Sequence, residues 1–83
     1  MVAKALVYVL RSVTHPDRYY AGLTSNVAAR LETHNSGGSV HTMHNRPWEL
    51  VVSLEFSSAD SAVAFERYLK SGSGRAFAKR HFI

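Results

Sequence analysis

The segment Trp48-Glu49-Leu50-Val51-Val52-Ser53-Leu54-Glu55-Phe56 sets the strongest constraint on what this chain can fold into. Apolar residues at 48, 50, 52, 54 and 56 alternate with mostly polar ones, the two-residue period of a half-buried strand with Trp48 and Phe56 as core residues. Ala5-Leu6-Val7-Tyr8-Val9-Leu10, a continuous apolar run rich in β-branched residues, reads as a second strand covered on both faces. Arg18-Tyr19-Tyr20-Ala21-Gly22-Leu23 is a third, and the turn-like Ser12 to Asp17 segment with Pro16 suits an antiparallel hairpin between them. A register centred on Thr14 puts Tyr8 opposite Tyr20, both on one face. A slip by one residue would separate them.

Helices fill the intervals. Thr24, Ser25 and Asn26 are all N-cap residues, Val27 to Asn35 is free of Gly and Pro, and Gly37-Gly38 supplies a stop. On that helix Asn26, Arg30 and His34 share a stripe, beside Val27, Ala28 and Leu31. Residues 36–47 are too polar and too broken for a regular element. Ser57 or Ser58 caps a helix from about Ala59 to Lys70, stopped by Ser71-Gly72, and a last short helix starts near Ser73-Gly74 and runs to His81.

At 83 residues and 9.2 kDa the reading is one domain over 1–83, because a chain this short buries only roughly 60% of its unfolded surface. The absence of Cys excludes disulfides and thiolate chemistry and suits a reducing, cytoplasmic location. No segment approaches the ~20 apolar residues of a membrane span, and the run ending at Arg11 lacks a cleavage site, so secretion and membrane insertion are poorly supported. Charge is uneven. Residues 1–60 balance Lys4, Arg11, Arg18, Arg30 and Arg46 against Asp17, Glu32, Glu49, Glu55 and Asp60, so the net +4 lies in residues 61–83. Such a basic region attracts polyanions, nucleic acid or an acidic lipid surface, or serves solubility alone.

Within that region the only acid is Glu66. It shares a helical stripe with Ala62, Phe65 and Leu69, where a carboxylate must be paired, hydrogen-bonded or bound to a cation. Two explanations stand: an i,i+4 pair with Lys70 or a place at the rim, and a metal ligand or catalytic carboxylate at a cleft. His41-x-x-His44 has a spacing that zinc sites use but lacks a Cys or acidic partner.

The ordered set Leu6-Val7-Tyr8, Tyr20-Ala21-Gly22, Arg30, His34 and Glu66 resembles the GIY-YIG nuclease superfamily, and most of all its small, stand-alone, single-domain members. The resemblance runs from Val7 to about Phe82 and takes in Glu66-Arg67-Tyr68-Leu69-Lys70-Ser71-Gly72-Ser73-Gly74-Arg75. It implies an α/β (α+β) fold, a three-stranded antiparallel sheet flanked by helices. It also implies a DNA endonuclease or nickase that hydrolyses phosphodiester bonds with one divalent ion, Mg²⁺ or a substituting Mn²⁺, held by Glu66, with a role in DNA repair or recombination. Tyr8, Tyr20, Arg30 and His34 would be the other catalytic residues: Arg30 suits the phosphate oxygens, and either Tyr8 or His34 is the base, with Tyr8 favoured.

The chain departs from the family pattern at Leu23, where many members place a Lys, and by having no Asn after Asn45. The Ser71–Gly74 turn, offering backbone N–H groups to a phosphate, with Lys70, Ser73, Arg75 and Lys79 around it, is the expected substitute for these DNA contacts; an ordinary helix cap is the alternative reading of the turn. The other functional readings are a non-catalytic nucleic-acid-binding module and a nuclease subunit activated by a partner. Two nicks on opposite strands would need two active sites or two visits, so a homodimer would be useful; an accessory protein is the other expected partner.

Overall fold

The computed structural model describes residues 4–83, so the expected 1–83 span includes residues 1–3, which lie outside that range. Three apolar runs form strands: β1 (Ala5–Ser12), β2 (Tyr19–Thr24) and β3 (Trp48–Phe56). They make one antiparallel sheet in the order β2-β1-β3, so the most apolar strand lies at the centre, covered on both faces. Three helices complete an α+β fold: α1 (Val27–Asn35), α2 (Ala59–Leu69) and α3 (Gly72–His81). Among the described residues no helix is long and apolar enough to cross a membrane.

Each helix boundary has a local cause. Asn26, Ser58 and Ser71 cap α1, α2 and α3, their side chains accepting from the backbone N–H of Ala29, Ser61 and Gly74. The last helix therefore begins earlier than Ser73-Gly74. Helix α1 ends in a Schellman motif: the Gly38 N–H donates to Thr33 O at 2.9 Å and the Gly37 N–H to His34 O at 3.3 Å. Gly37 has φ +84°, which a residue with a Cβ rarely adopts.

The sheet separates two cores. Val7 and Val9 point to one side, where Ala62, Phe65 and Leu69 of α2 and Phe77, Ala78 and Phe82 of the C-terminal segment pack on them. Tyr8 and Leu10 point to the other, where they meet Trp48 and are covered by Val27 and Leu31 of α1. The even alternation of β3 does not put all its apolar residues on one side. A bulge opposite Val9 and Leu10 inserts Val51, so Trp48 and Leu50 lie on the α1 side while Val52, Leu54 and Phe56 lie on the α2 side.

The hairpin register differs from the one centred on Thr14. Tyr8 lies opposite Gly22, and Tyr20 lies opposite Leu10. The wider turn is closed by Ser12 N–H donating to Arg18 O at 3.0 Å. A two-residue shift preserves the face, so both tyrosines still point to the α1 side. The cause is steric: a Cβ on Gly22 would collide with the Tyr8 hydroxyl, so the glycine supplies the space through which that ring runs.

Gly22→Ala is expected to destabilise the fold by about 1–3 kcal/mol through overpacking. Urea denaturation of the single variants and of Gly22→Ala with Tyr8→Leu should show a coupling of about 0.5–3 kcal/mol, because the smaller side chain vacates the space. Additive effects would mean that the Tyr8 ring is not the obstacle.

Candidate active site

Tyr8, Tyr20 and His34 converge on the α1 side of the sheet. Ring centroids lie 6.3 Å apart for Tyr8 and Tyr20, 5.9 Å for Tyr8 and His34, and 4.8 Å for Tyr20 and His34. The helix stripe that carries Arg30 and His34 explains the approach, since α1 packs on Tyr8 and Leu10 of β1 and Trp48 of β3 and turns His34 inward. Tyr8 and His34 are buried, and Tyr8 Oη is 2.9 Å from His34 Nε2. On the other side of the imidazole, Nδ1 is 2.8 Å from Oγ1 of Thr42, which is also buried.

This loop is held in turn by β3. The Trp48 indole N–H donates to the Thr42 carbonyl at 2.9 Å. Asn35, the last residue of α1, treats Trp48 as a strand neighbour: its amide oxygen accepts from Trp48 N at 2.6 Å and its Nδ2 donates to Trp48 O at 3.0 Å. Thr42 and Asn35 were not among the expected site residues. Asn35 sat in view as the end of a helix, but Thr42 lies in the Ser- and Gly-rich 36–47 segment, which has no periodicity to mark a buried hydroxyl.

Burial governs the titration of the pair. Tyr8 is pushed up to about 12, first by desolvation and then by Tyr20; Arg30 lowers it and Glu66 raises it. His34 is held below its ordinary value of 6.5 by desolvation and by the Arg30 charge. At neutral pH the pair is therefore a phenol and a neutral imidazole. Arg30 on α1 and Glu66 on α2 act on Tyr8 from helices on opposite sides of the sheet. A phenolate at Tyr8 is thus unfavourable on its own, and the hydroxyl instead shares a hydrogen bond with His34.

Glu66 makes the expected i,i+4 pair: its Oε1 is 2.6 Å from Lys70 Nζ, and the Glu66 side chain is only 17% exposed against 57% for Lys70. The Lys70 ammonium is thus the partner of this carboxylate. Among the described residues there is no group of three His, Cys, Asp or Glu that could hold a metal. A single carboxylate fits Mg²⁺, which keeps several waters and shares its remaining ligands with substrate phosphate, and does not fit a closed protein cage. His41 and His44 are exposed and form no such group.

Of the four residues expected to contact DNA, three line one groove. Lys70, Arg75 and Lys79 line a cavity of about 550 Å³ together with Asp17 and with Tyr19, Tyr20 and Ala21 of β2. Ser73 is not there. It lies in a second cleft with Tyr68, Phe77, Arg80 and His81. The Ser71–Gly74 turn follows the ordinary cap: Ser71 Oγ accepts from Gly74 N–H at 3.1 Å and donates to Tyr68 O at 2.6 Å. A Cβ on Gly74 would collide with the Tyr68 carbonyl, so this glycine permits close packing of α3 on α2.

Comparison with known proteins accords with this architecture. The GIY-YIG catalytic domain model matches residues 4–80. The chain is 41% identical over 66 residues to the structure-specific endonuclease subunit SLX1 of Chaetomium globosum, and the match covers 72% of this chain and 20% of that protein. It thus spans only a minor part of the length of these larger relatives. To a UPF0213 protein of Staphylococcus haemolyticus it is 38% identical over 71 residues, covering 84% of each. The solution NMR structure of a UPF0213 protein from Bacillus halodurans superimposes with a TM-score of 0.56 at 30% identity, covering 92% of this chain and 80% of that one. The ordered tyrosines, the arginine–histidine helix face and the match over almost every described residue lead to one conclusion: this chain belongs to the GIY-YIG catalytic domain family.

Proposed function

We propose that this domain is a metal-dependent endonuclease that nicks DNA by hydrolysing phosphodiester bonds, using one divalent ion, Mg²⁺ or Mn²⁺, at Glu66. The observation that carries the reading is the buried 2.9 Å hydrogen bond between Tyr8 and His34, a protonated phenol against a neutral base. In this reading water gives its proton to the Tyr8 oxygen as the Tyr8 proton passes to His34 Nε2. The resulting hydroxide attacks phosphorus, and the bond from phosphorus to the leaving oxygen breaks with its electron pair on that oxygen. Arg30 offers a planar fork to the non-bridging oxygens. Tyr20 packs on His34 and keeps its ring plane in place. The ion, when bound, would neutralise phosphate charge and stabilise the leaving oxygen.

The groove beside Tyr20 supports the DNA part of the proposal. Lys70, Arg75 and Lys79 take the place of the Lys that is Leu23 here and of the missing C-terminal Asn. Their contacts would be to the backbone, which positions DNA without reading its sequence. A role in DNA repair or recombination in a reducing, cytoplasmic setting belongs to the same proposal. The name "subunit" carried by the larger relatives supports a second reading, in which cleavage requires an accessory protein.

The test is nicking of supercoiled and branched DNA with Mg²⁺ or Mn²⁺. Glu66→Ala should abolish it, and Tyr8→Phe should lower the rate about 10²-fold or more, the usual contribution of a positioned proton acceptor. Metal-independent binding with no cleavage by the wild type would favour a non-catalytic module, and cleavage only after a second protein is added would favour the subunit.

The acid limb of the rate profile should fall below pH 6.5. The reaction needs neutral His34, and a lowered pKa keeps that form populated to lower pH. A limb at or above 6.5 would remove His34 from the proton path.

Arg75→Ala and Lys79→Ala should each weaken DNA binding regardless of sequence and reduce the slope of log K against log salt by about 1. Ser73→Ala should leave DNA affinity unchanged, because Ser73 lies in the other cleft.

A further inference from the structure

We infer that Thr42 is a positioning residue that fixes His34 as the tautomer protonated on Nδ1, leaving Nε2 bare to accept the Tyr8 proton. The inference rests on the proton path proposed above and adds to it the group that sets its direction. A neutral imidazole carries one N–H, and which nitrogen holds it decides whether His34 can receive a proton from Tyr8 or only donate to it.

The hydrogen-bond inventory around the ring gives the assignment. Tyr8 Oη has one hydrogen, and its one recorded partner among the described residues is His34 Nε2 at 2.9 Å. If Nε2 carried the proton, Tyr8 would have to accept and its own hydrogen would lose that partner. At the far side, Thr42 Oγ1 has one hydrogen as well. It lies 3.5 Å from the Ser39 carbonyl, which only accepts, and 2.8 Å from His34 Nδ1. With the Ser39 carbonyl available to take the Thr42 hydrogen, the hydroxyl oxygen can accept from Nδ1 at 2.8 Å, which matches the tautomer that the Tyr8 end requires. The Tyr8 end thus sets the direction and the Thr42 end accommodates it: Nδ1–H to Thr42, Tyr8 O–H to Nε2.

The threonine is well placed to impose that direction. It is buried, its carbonyl accepts the Trp48 indole N–H, and Trp48 is locked to Asn35 by two hydrogen bonds. The backbone that carries the hydroxyl is therefore anchored to β3 and, through Trp48, to the end of α1. As the imidazole takes the Tyr8 proton it becomes cationic, and the Thr42 oxygen already accepts from the N–H that is present in both forms.

The test is ¹⁵N NMR of His34 in the full chain, which distinguishes the two tautomers, combined with nicking kinetics. Wild type should show Nδ1 protonated and Nε2 bare. Thr42→Ser should keep that signature and a rate within about 3-fold of wild type, whereas Thr42→Val should move the ring toward the Nε2–H form and lower kcat by at least about 10-fold with DNA affinity unchanged, the expected sign of a misoriented base. Wild-type His34 protonated on Nε2, or Thr42→Val with an unchanged signature and full kcat, overturns the inference. Should Thr42→Val fail to fold, the wild-type tautomer and the Thr42→Ser signature still decide it. A wild type that never cuts DNA removes the nuclease reading, while the NMR arm continues to test the tautomer.

Discussion

The Tyr8 ring lies across the bare α-carbon of Gly22, and the position of its hydroxyl follows from that contact. A strand pair normally keeps side chains upright; here one partner has no side chain, so a large ring can run along the sheet surface beneath α1. Its oxygen then meets His34 Nε2 at the end of the helix, and the ring of Tyr20 closes over the imidazole. Helix α1 is fixed at that end by Gly37, whose positive φ turns the chain away, and by the Asn35 bridge to Trp48. Sheet register, helix cap and loop are thus tied to one aromatic ring and its single hydrogen bond.

Much of this was legible in the residues, and the failures have physical causes. Three strands and three helices follow from alternation and capping signals, the shared face of Tyr8 and Tyr20 and that of Arg30 and His34 follow from strand and helical spacing, and the meeting of the tyrosines with His34 follows from the family resemblance. The register was misplaced by two residues because turn length is weakly encoded by Val13 to Arg18, whereas the fit of a ring over Gly22 is a tertiary contact. The partition of β3 between two cores was hidden because a bulge leaves no mark on an alternating pattern. Thr42 was invisible because a hydroxyl becomes a site residue only through what it touches. Ser73 sat near the basic residues in sequence, but the helical turn sends it to a different cleft from Arg75.

The charge pattern also gains meaning from three dimensions. The net +4 lies in the last part of the chain, yet Lys70, Arg75 and Lys79 border the β2 strand that carries Tyr20, so the basic segment folds back onto the first third of the molecule. Lys70 faces both ways: it neutralises Glu66 and lines the groove. A carboxylate that is mostly sheltered but paired with the Lys70 ammonium can sit on an otherwise apolar stripe, which resolves the apparent conflict of Glu66 among Ala62, Phe65 and Leu69.

The bulge in β3 acts as a phase converter between two layers. Trp48 must reach the Thr42 loop and Val52 must reach the helix pair, four positions apart in a strand where equal phase would send both the same way. Val51 is the extra step that reconciles them, and its removal would leave Trp48 opposite Ser12 and Val52 opposite Val9 as before. The edge strand therefore holds one residue of slack, so the sheet could absorb a one-residue loss at that point while a residue added elsewhere in β3 would have to be taken up by a second bulge.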